Sequence, residues 1–597
     1  MLPRECGGKY MKVREAMELD RRSFLKGAAL TGGAAALLGA TTACSPSSAK
    51  SEEAKNTEKN EADPIEPVSA PSSWDFEADL VVVGTGGGGL AATTLAAEDG
   101  AKVIAVEKEG TVGGATRHAS GYVIFAGGSK VQKELGAAWP GSEFDPLASV
   151  NALGPYYQYS LNVPMYVNIL KAGAECIDWM LEHPDVKLKG TPRAFFDEDL
   201  ASGKQNSVLG MNNTVNAMEK AALAAGAEIK LNTKAETLVV DEDGVVLGIM
   251  ATSANGDEIY IKGEKGVVLC GGGFGMNRDL LQRYIPSCYE QALQGGPMPF
   301  HTGDTFRMGL GAGADHSGLN SFSCWEGGLD EYYGDGDGSY WHYFWNGPRQ
   351  LLTNPWLMLD RQCNRAPYFG GYDFQEEYIN QGFSNGEVTN ASAWMSTVGH
   401  GAYAVLDGNY EETLKKICNP KAADKSRVPI EKDGTLIENK LVSDDWRKEV
   451  QDAIERGSIK KADTLEKLAE EVGLDPEKFV AAIARWNEIC AQGEDSDLAV
   501  PYNPDWLVPI EKPPYYCAKI GAMIGKTLCG LRVDENMHVL DSEGYQIPGL
   551  YANFLTAGGI AGENSYGSQW TNTSLMGANG LSWCSGFLAA SSALEGK

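Results

Sequence analysis

Leu80-Val81-Val82-Val83-Gly84-Thr85-Gly86-Gly87-Gly88-Gly89 is the stretch that decides the fold of this 597-residue chain. Its four apolar residues predict a buried strand, its glycines predict a tight turn, and the alanine-rich run that follows predicts a helix. A second apolar strand, Val103–Val106, ends in Glu107. A strand, a G-x-G-x-x-G turn, a helix, a second strand and an acid in this order form the fingerprint of a dinucleotide-binding unit.

The glycines of such a unit have separate tasks. Gly84 permits the turn, Gly86 lets a pyrophosphate approach the backbone, and Gly89 allows the helix to pack on the strand. The start of the helix faces the phosphates, because its unpaired amides and its dipole favour an anion. We expect Glu107 to accept hydrogen bonds from ribose hydroxyls.

Composition and charge exclude several classes of protein. Lys and Arg number 51 against 80 Asp and Glu, which gives a formal net charge of −29. A chain this acidic repels phosphate backbones, so we expect no nucleic-acid partner. The twelve cysteines form neither C-x-x-C nor C-x-x-C-H. That spacing argues against an attached c-type haem, a zinc ribbon or a four-cysteine cluster, and we expect no metal site.

The N-terminus predicts export. Asp20-Arg21-Arg22-Ser23-Phe24-Leu25-Lys26 precedes a small, apolar, uncharged run, which is typical of a twin-arginine signal and too short to span a membrane. We therefore interpret residues 1–43 as a signal peptide and place the mature protein in the cell envelope or outside it. The residues before Cys44 fit either a cleavage site or a degenerate lipoprotein box, so a lipid anchor at Cys44 is left open. Residues 44–76, rich in Lys, Glu and Ser, are predicted to be a disordered linker.

A second glycine-rich loop follows Glu107 at once: Lys108-Glu109-Gly110-Thr111-Val112-Gly113-Gly114-Ala115-Thr116, then His118-Ala119-Ser120-Gly121. Such a loop can wrap the far half of a dinucleotide, which favours FAD over NAD. With these residues the chain resembles the flavoprotein family of soluble fumarate reductases and 3-ketosteroid dehydrogenases. Thr302-Gly303-Asp304 and the strand-and-turn segments at 267–274 and 547–552 extend the resemblance over residues 78–590.

The resemblance implies an α/β fold with FAD as the cofactor. The FAD-binding domain would be Rossmann-like and split into residues 77–316 and 519–597, with an α+β capping domain, 317–518, inserted between the two parts. Apolar residues at helical spacing over 463–492 predict helices that pack in the core of this cap. The candidate FAD contacts are Gly84, Gly86, Gly89, Glu107, Lys108, Gly113, Gly114, Thr116, Ser120, Gly121, Ala235, Gly271, Gly272, Asp304, Ser574 and Leu575.

The implied chemistry is hydride transfer between flavin N5 and one carbon of a C–C double bond, with a side chain moving a proton at the neighbouring carbon. Fumarate reductases use an Arg acid in the cap, a His near its end and a second Arg after the last strand. Here the segment 365–373 has no Arg after Arg365, Gly525-Lys526-Thr527 replaces the His motif, and Gly562-Glu563-Asn564-Ser565 lacks the second Arg. Without these arginines a small dicarboxylate has no cationic groups to bind its carboxylates, so fumarate is disfavoured as the substrate.

The 3-ketosteroid dehydrogenases supply the nearer comparison. Tyr372-Asp373 resembles their proton-transferring Tyr, and Tyr566-Gly567 resembles the Tyr that binds the substrate's keto oxygen; the family's third Tyr has no counterpart in 193–197. Tyr372 and Tyr566 are therefore the candidate catalytic residues. A cluster of aromatic residues in the cap has two interpretations: it lines a pocket for a flat apolar ligand, or it forms the cap's own core. Its members are Trp325, Tyr332, Tyr333, Tyr340, Trp341, His342, Tyr343, Phe344, Trp345 and Trp356.

The sequence thus predicts an exported FAD-dependent oxidoreductase acting on an activated C–C double bond, with reduction of a bulky aromatic or enone substrate as the favoured case. No haem, FMN or second nucleotide motif is found. We therefore expect a membrane-linked or cytochrome-type redox partner, as in anaerobic respiration. A fumarate or urocanate type of dicarboxylate reductase, a 3-ketosteroid dehydrogenase and a non-catalytic flavin electron carrier remain open.

Overall fold

The predicted strand, glycine turn, helix and strand around Gly84 are all present in the structure. The structure is a computed structural model that describes residues 61–117, 119, 127–136, 143–153, 162–187, 211–286, 300–329, 351–352, 356–365, 402–417, 446–498, 502, 504–560, 566–568 and 577–596.

The strands of the described residues are β1 (Val68–Ser69), β2 (Phe76–Ala78), β3 (Leu80–Val83), β4 (Val103–Val106), β5 (Glu228–Lys230), β6 (Lys234–Val240), β7 (Val246–Thr252), β8 (Glu258–Gly263), β9 (Val267–Leu269), β10 (His316–Ser317), β11 (Phe322–Leu329), β12 (Leu357–Leu359), β13 (Ala402–Leu406), β14 (Lys460–Ala462), β15 (Tyr515–Thr527), β16 (Gly530–Leu531), β17 (His538–Leu540), β18 (Gln546–Ala552) and β19 (Tyr566–Ser568).

The helices of the same residues are α1 (Gly87–Glu98), α2 (Gly114–Arg117), α3 (Lys130–Leu135), α4 (Pro146–Leu153), α5 (Val163–Glu182), α6 (Met211–Ala224), α7 (Arg278–Tyr284), α8 (Asp304–Gly311), α9 (Tyr410–Ile417), α10 (Trp446–Arg456), α11 (Leu465–Val472), α12 (Pro476–Gln492) and α13 (Gly577–Glu595). None of these helices is long and apolar enough to cross a membrane.

The first sheet has the order β17-β18-β9-β3-β4-β5. Strands β18, β9, β3, β4 and β5 run parallel, and β17 is antiparallel to β18. Every residue of β3 and β4 is buried, as expected for parallel strands covered on both faces. Helix α1 lies close to α13 because glycines face each other: a Cβ on Gly586 would overlap the carbonyl group of Gly88.

The second sheet has the order β1-β6-β7-β8-β2. Its outer strands, β1 and β2, come from the segment just before β3, and each pairs in parallel with the strand beside it. This corrects the prediction of a disordered linker over 44–76 for its last part, since residues 61–76 lie on the folded protein. Hydrogen bonds of the segment's backbone groups explain the difference: Ile65 N donates to Arg307 O over 3.0 Å, and the side-chain Nη1 of Arg283 donates to Ala62 O over 2.8 Å.

The third sheet has the order β12-β13-β15-β11-β19, and β14 also pairs with β15. Alternating residues of β13 face opposite sides: Ala402, Ala404 and Leu406 belong to one apolar cluster, whereas Tyr403 and Val405 belong to another. The long strand β15 pairs with β13 through its first half and with β11 through its second. The predicted domain boundary at 518/519 therefore falls inside a strand.

The region 463–492 contains two helices, α11 and α12, as its apolar spacing predicts. Thr464 and Asp475 cap them by accepting hydrogen bonds from backbone amides, and each helix ends at a glycine in the left-handed conformation. Leu468, Phe479 and Trp486 are buried in one apolar cluster on the third sheet. These side chains are core residues.

Candidate functional site

The first sheet has a topological switch at β3. The chain passes from β3 to β4 on one side, whereas its other neighbour, β9, lies far along the sequence. In open α/β sheets ligands bind in the crevice beyond the carboxyl ends of the strands at such a point. Two glycine-rich turns border this crevice: the first turn, Gly84–Gly89, follows β3, and the second turn, Gly271–Phe274, follows β9.

The glycines of the first turn divide into crowded and open positions. Gly84 has φ +95°, and a Cβ there would lie 2.5 Å from the carbonyl oxygen of Cys270. A Cβ on Gly89 would overlap the carbonyl oxygen of Gly84. A Cβ on Gly86, at the start of α1, would meet nothing within 4 Å. The space beside Gly86, directly before α1, is therefore open, which fits the close approach of a dinucleotide's phosphates.

Glu107, directly after β4, fixes the first turn through hydrogen bonds to its carboxylate. Its Oε2 accepts hydrogen bonds from Thr85 N and Thr85 Oγ1, each over 2.8 Å, and its Oε1 accepts one from Glu109 N over 3.0 Å. The carboxylate fixes the first turn from inside. The sequence predicts that Glu107 binds ribose hydroxyls, whereas its described contacts are with protein groups.

The loop after Glu107 lies against the first turn. Gly113 forms a bridge with Gly86, and Gly113 N donates to Thr85 O over 2.8 Å. Thr116 Oγ1 accepts a hydrogen bond from Gly87 N over 3.0 Å. Gly113 and Gly114 both have positive φ, so the structure brings this set of expected FAD contacts together beside Gly86.

Lys108 and Asp304, two further expected contacts, form an ion pair. Lys108 Nζ lies 2.8 Å from Asp304 Oδ2 and donates to Thr302 Oγ1 over 2.8 Å. Burial alone would raise the pKa of Asp304, but the Lys108 charge and hydrogen bonds outweigh it and lower that pKa. The pair ties the loop after β4 to the start of α8.

Three threonines and a histidine surround the second turn. Phe274 N donates to Thr527 Oγ1 over 3.1 Å, and Thr556 Oγ1 donates to Gly272 O over 3.3 Å. A Cβ on Gly271 would crowd Thr305, at 2.5 Å from its Oγ1. His301 lies against Gly272, and burial, with a smaller contribution from Lys108, lowers the pKa of His301 to about 4. The imidazole is therefore neutral at pH 7.

The remaining expected contacts differ in how they are placed. Ala235 is buried in β6 opposite Ala251, and the nearby Thr233 N donates to Glu107 O over 2.8 Å. Asn553 is buried, and its amide lies against Gly88. Four expected contacts lie outside the described residues: Ser120, Gly121, Ser574 and Leu575.

The expected catalytic residues are only partly placed. Tyr372 lies outside the described residues. The backbone of Tyr566 pairs in parallel with Phe322 of β11, which in turn pairs with Thr527 of β15. β19 is thus two strands away from the residue that binds the second turn.

Arg365 forms a buried ion pair next to the third sheet. Its Nη1 and Nη2 donate to the two carboxylate oxygens of Asp495 over 2.7 and 2.8 Å, and both side chains are almost fully buried. The rings of Trp486 and Tyr502 lie 4.9 and 5.2 Å from its guanidinium carbon. Arg365 is therefore held by protein groups and is not offered to a substrate.

Trp356 is the one member of the predicted aromatic cluster whose side chain is described. It is buried in an apolar cluster on the third sheet, and its Nε1 donates to Leu351 O over 2.7 Å. For Trp356 the core interpretation is correct. The other nine side chains lie outside the described ones.

Lys526 is the charged group that sequence reasoning did not count among the site residues. It is 6% exposed near the end of β15, and burial lowers its pKa to about 7. The sequence feature that indicates a buried lysine here is its position directly after a run of apolar residues and glycines, Ile520-Gly521-Ala522-Met523-Ile524-Gly525. Among the described residues no group of three or more His, Cys, Asp or Glu could hold a metal ion.

Comparisons with known proteins agree with this geometry. The model of a family described as FAD binding domain matches residues 79–569, and a twin-arginine translocation signal model matches residues 18–38. Vinyl phenol reductase from Lactiplantibacillus plantarum is 26% identical, over 83% of this chain and 92% of that protein. Digoxin reductase from Eggerthella lenta is 25% identical, over 96% of this chain and 97% of that protein.

A solved structure of a flavocytochrome c3 fumarate reductase in its open conformation has the same fold. It superimposes with a TM-score of 0.56 at 20% identity and covers 87% of this chain and 79% of the solved chain.

Proposed function

We propose that this protein reduces a double bond conjugated with an aromatic or carbonyl group in a bulky substrate. The chain belongs to the FAD binding domain family and is an FAD-dependent oxidoreductase that carries a twin-arginine signal. The observation that carries the proposal is its likeness over most of its length to vinyl phenol reductase and digoxin reductase. A vinyl phenol has its double bond attached to an aromatic ring. The dicarboxylate alternative is disfavoured by Arg365, which is bound to Asp495.

The crevice residues fit FAD. Gly86 leaves open space at the start of α1, and Gly113, Gly114 and Thr116 border that space. Glu107 and the threonines of the second turn hold the two walls in place. Bound FAD would supply the hydride chemistry. The chain's own groups bind it, exclude water and move the proton.

We assign the first and second sheets to a split FAD-binding domain, residues 77–316 and 519–597, and the third sheet to a capping domain, residues 317–518. Two observations support this assignment. The chain leaves the first sheet after β9 and returns to it at β17, and the third sheet has apolar clusters of its own on both faces. β15 crosses the boundary and β19 lies beyond it, so the third sheet combines strands of the cap with two strands that reach into or belong to the returning part of the FAD-binding domain.

Tyr372 is the proposed proton donor, and Tyr566 is proposed to bind the oxygen conjugated with the double bond. Support for Tyr566 comes from β19, whose backbone lies beside β11 and two strands from Thr527. Support for Tyr372 comes from the Tyr372-Asp373 pair, which resembles the segment that carries the proton-transferring Tyr of 3-ketosteroid dehydrogenases. Such a proton donor contributes roughly 10²–10⁴-fold to a rate.

We further propose that electrons come from a membrane-linked or cytochrome-type partner and that the protein acts outside the cytoplasm, with or without a lipid at Cys44. The twin-arginine signal supports the location. Mass spectrometry of the exported protein tests the lipid, since a diacylated Cys44 would be the first residue of the mature chain.

The function is tested by anaerobic reoxidation of the flavin. The holoenzyme is reduced with dithionite, and flavin absorbance is followed after addition of fumarate, urocanate, hydroxycinnamates or enone steroids. We expect rapid reoxidation by a bulky aromatic or enone alkene. Tyr372→Phe should slow it roughly 10²–10⁴-fold, whereas Tyr545→Phe, at a site 69% exposed, should not.

The other outcomes of this experiment identify the alternatives. Rapid reoxidation by fumarate or urocanate would show a dicarboxylate reductase. Reduction of the oxidised flavin by a saturated ketosteroid would show a dehydrogenase. An inert flavin in both directions would leave an electron carrier.

A further inference from the structure

Residues 61–66, which we call the strap, are bound along their whole length by the folded protein. Ala62 is fully buried, and a Cβ on Gly311 would overlap the carbonyl oxygen of Ile65. The carbonyl oxygens of residues 61, 62, 63 and 66 accept hydrogen bonds over 2.8–3.0 Å from the side chains of Asn277, Arg283, Arg307 and Thr237, respectively. The strap is therefore an ordered part of the protein, although it comes before the first strand.

Asn277 joins the strap to a second segment. Its Nδ2 donates to Glu61 O over 3.0 Å and to Thr302 O over 3.1 Å. Its Oδ1 accepts a hydrogen bond from Leu280 N over 3.0 Å and so caps α7. A side-chain amide has two N–H donors, and here both are used between segments that lie far apart in the sequence. Asn277 is 5% exposed, so water competes little for these bonds.

The loop 300–304, to which Asn277 donates, borders the FAD crevice. The ring of Phe300 lies 4.0 Å from the position that a Cβ on Gly114 would take. Lys108 Nζ, directly after the end of β4 and Glu107, forms its ion pair with Asp304 at 2.8 Å. A rearrangement of this loop would therefore change the shape of the crevice.

We propose that Asn277 is a positioning residue of the FAD site, through which the strap holds the loop 300–304 in the conformation that accepts FAD. Contacts connect Glu61 O through Asn277 to Thr302, and Thr302 to Lys108. Bound FAD stabilises the same loop and thereby the bound strap. The inference concerns the cofactor and does not depend on which alkene the enzyme reduces.

Thermodynamic linkage makes this coupling reciprocal. The factor by which a bound strap raises the affinity for FAD equals the factor by which FAD disfavours release of the strap. One neutral hydrogen bond between buried groups corresponds to roughly 3- to 10-fold in an equilibrium constant. We expect a coupling factor of that size.

Hydrogen exchange of the strap measures the coupling from one side. Ile65 N donates to Arg307 O over 3.0 Å, so this amide exchanges when the strap is released. Exchange of the peptide that contains Ile65 is followed by mass spectrometry in the apoprotein and in the FAD-bound protein. We expect FAD to slow it roughly 3- to 10-fold. Exchange that is unchanged or faster with FAD would overturn the proposal.

Asn277→Ser measures the coupling from the other side. A serine still caps α7 by accepting from Leu280 N, but it lacks the amide donors for Glu61 O and Thr302 O. The dissociation constant of FAD, measured by flavin fluorescence, should rise roughly 3- to 10-fold. FAD should then change the exchange of the strap by no more than about 1.5-fold.

A purely structural role of Asn277 gives a different result. Asn277→Ser would then lower the unfolding midpoint of the apoprotein while the FAD affinity and the FAD-dependent slowing of exchange stay at wild-type values, and this would refute the proposal. Asn277→Asp also caps a helix and also lacks the amide donors. It decides the question by the same two measurements if Asn277→Ser does not fold.

Two controls separate this coupling from a general loosening. Asn162 caps α5 by accepting from Met165 N, and Asn162→Ser should match wild type in FAD affinity and in exchange of the strap. Arg283→Gln removes the contact with Ala62 O. It should speed exchange of the strap with and without FAD and leave the ratio of the two rates unchanged. If Arg283→Gln abolished that ratio as fully as Asn277→Ser, the coupling would not act through Asn277.

Discussion

The crevice at the ends of β3 and β9 is built mainly from backbone, whereas the third sheet and its helices contain buried charges. The first turn depends on Gly84 and Gly89, which leave room for carbonyl groups. The region around the third sheet holds the pair Arg365–Asp495 and the buried Lys526. Backbone sites depend on glycines that are close together in sequence. Charged sites depend on partners and surroundings that the fold brings from far away.

Two glycines three residues apart give the sharpest contrast. Gly89→Ala would place a methyl group on the carbonyl oxygen of Gly84, so we expect destabilisation on the order of 5 kcal/mol and poor recovery of folded protein. Gly86→Ala meets nothing within 4 Å. It should leave the apoprotein's unfolding midpoint unchanged and weaken FAD binding, as measured by denaturation and fluorescence titration. Equal effects of the two variants would contradict this account of the turn.

Lys526→Met should remove a pH dependence of the protein's stability. Lys526 binds its proton less tightly in the folded state, with a pKa of about 7 against 10.5, so the unfolded state holds more protons between these values. Stability from this group therefore rises with pH through that window, and its cost is greatest below pH 7, on the order of 4–5 kcal/mol. Urea denaturation of both proteins at pH 6.5 and 9.5 should show that the wild type gains stability relative to Lys526→Met at the higher pH. A constant difference would refute it.

Breaking one partner of the buried ion pair should destabilise the region around the third sheet. Burial would raise the pKa of Asp495, but hydrogen bonds from Arg365 and Tyr502 N outweigh it and keep the carboxylate charged. Asp495→Asn leaves the guanidinium without its charge partner, at a cost of about 3–5 kcal/mol. Arg485→Gln, which breaks exposed pairs with Asp497 and Glu488, is the control and should cost far less, because solvent screens exposed pairs. Thermal unfolding measures both, and similar losses would argue against this difference in burial.

His301 should make the crevice sensitive to acid. Its folded pKa of about 4 lies below the ordinary value of 6.5, so the unfolded state binds more protons between pH 6.5 and 4. Stability is therefore lost as pH falls through this window, by about 3 kcal/mol in total. His301→Gln should remove this part of the pH dependence, whereas His183→Gln, at a hydrogen bond with Glu98, serves as the comparison. Parallel stability curves for wild type and His301→Gln would exclude the effect.

The sequence predicted the crevice well because its signals are local. The bounds of β3 and β4 agree with the apolar runs to the residue, and α1 begins within the glycine turn. Helical spacing likewise found α11 and α12. The family resemblance was confirmed by the match over residues 79–569.

What could not be predicted depends on long-range contacts. Arg365 and Asp495 are 130 residues apart, and nothing near either residue indicates the other. Residues 61–76 read as a linker because they are polar, yet their backbone groups are paired with distant strands. The burial of Lys526 follows from the packing of β15, which its own sequence only hints at. The roles of Tyr372 and Tyr566 stay predictions.

The outer strands of the second sheet, β1 and β2, pair with β6 and β8 and occupy both of its edges. A sheet edge left bare is a template for another chain, and it promotes aggregation. Trimming the protein past Ala78 would therefore uncover two such templates at once. The same short segment that follows the export signal and linker thus protects the folded enzyme from self-association.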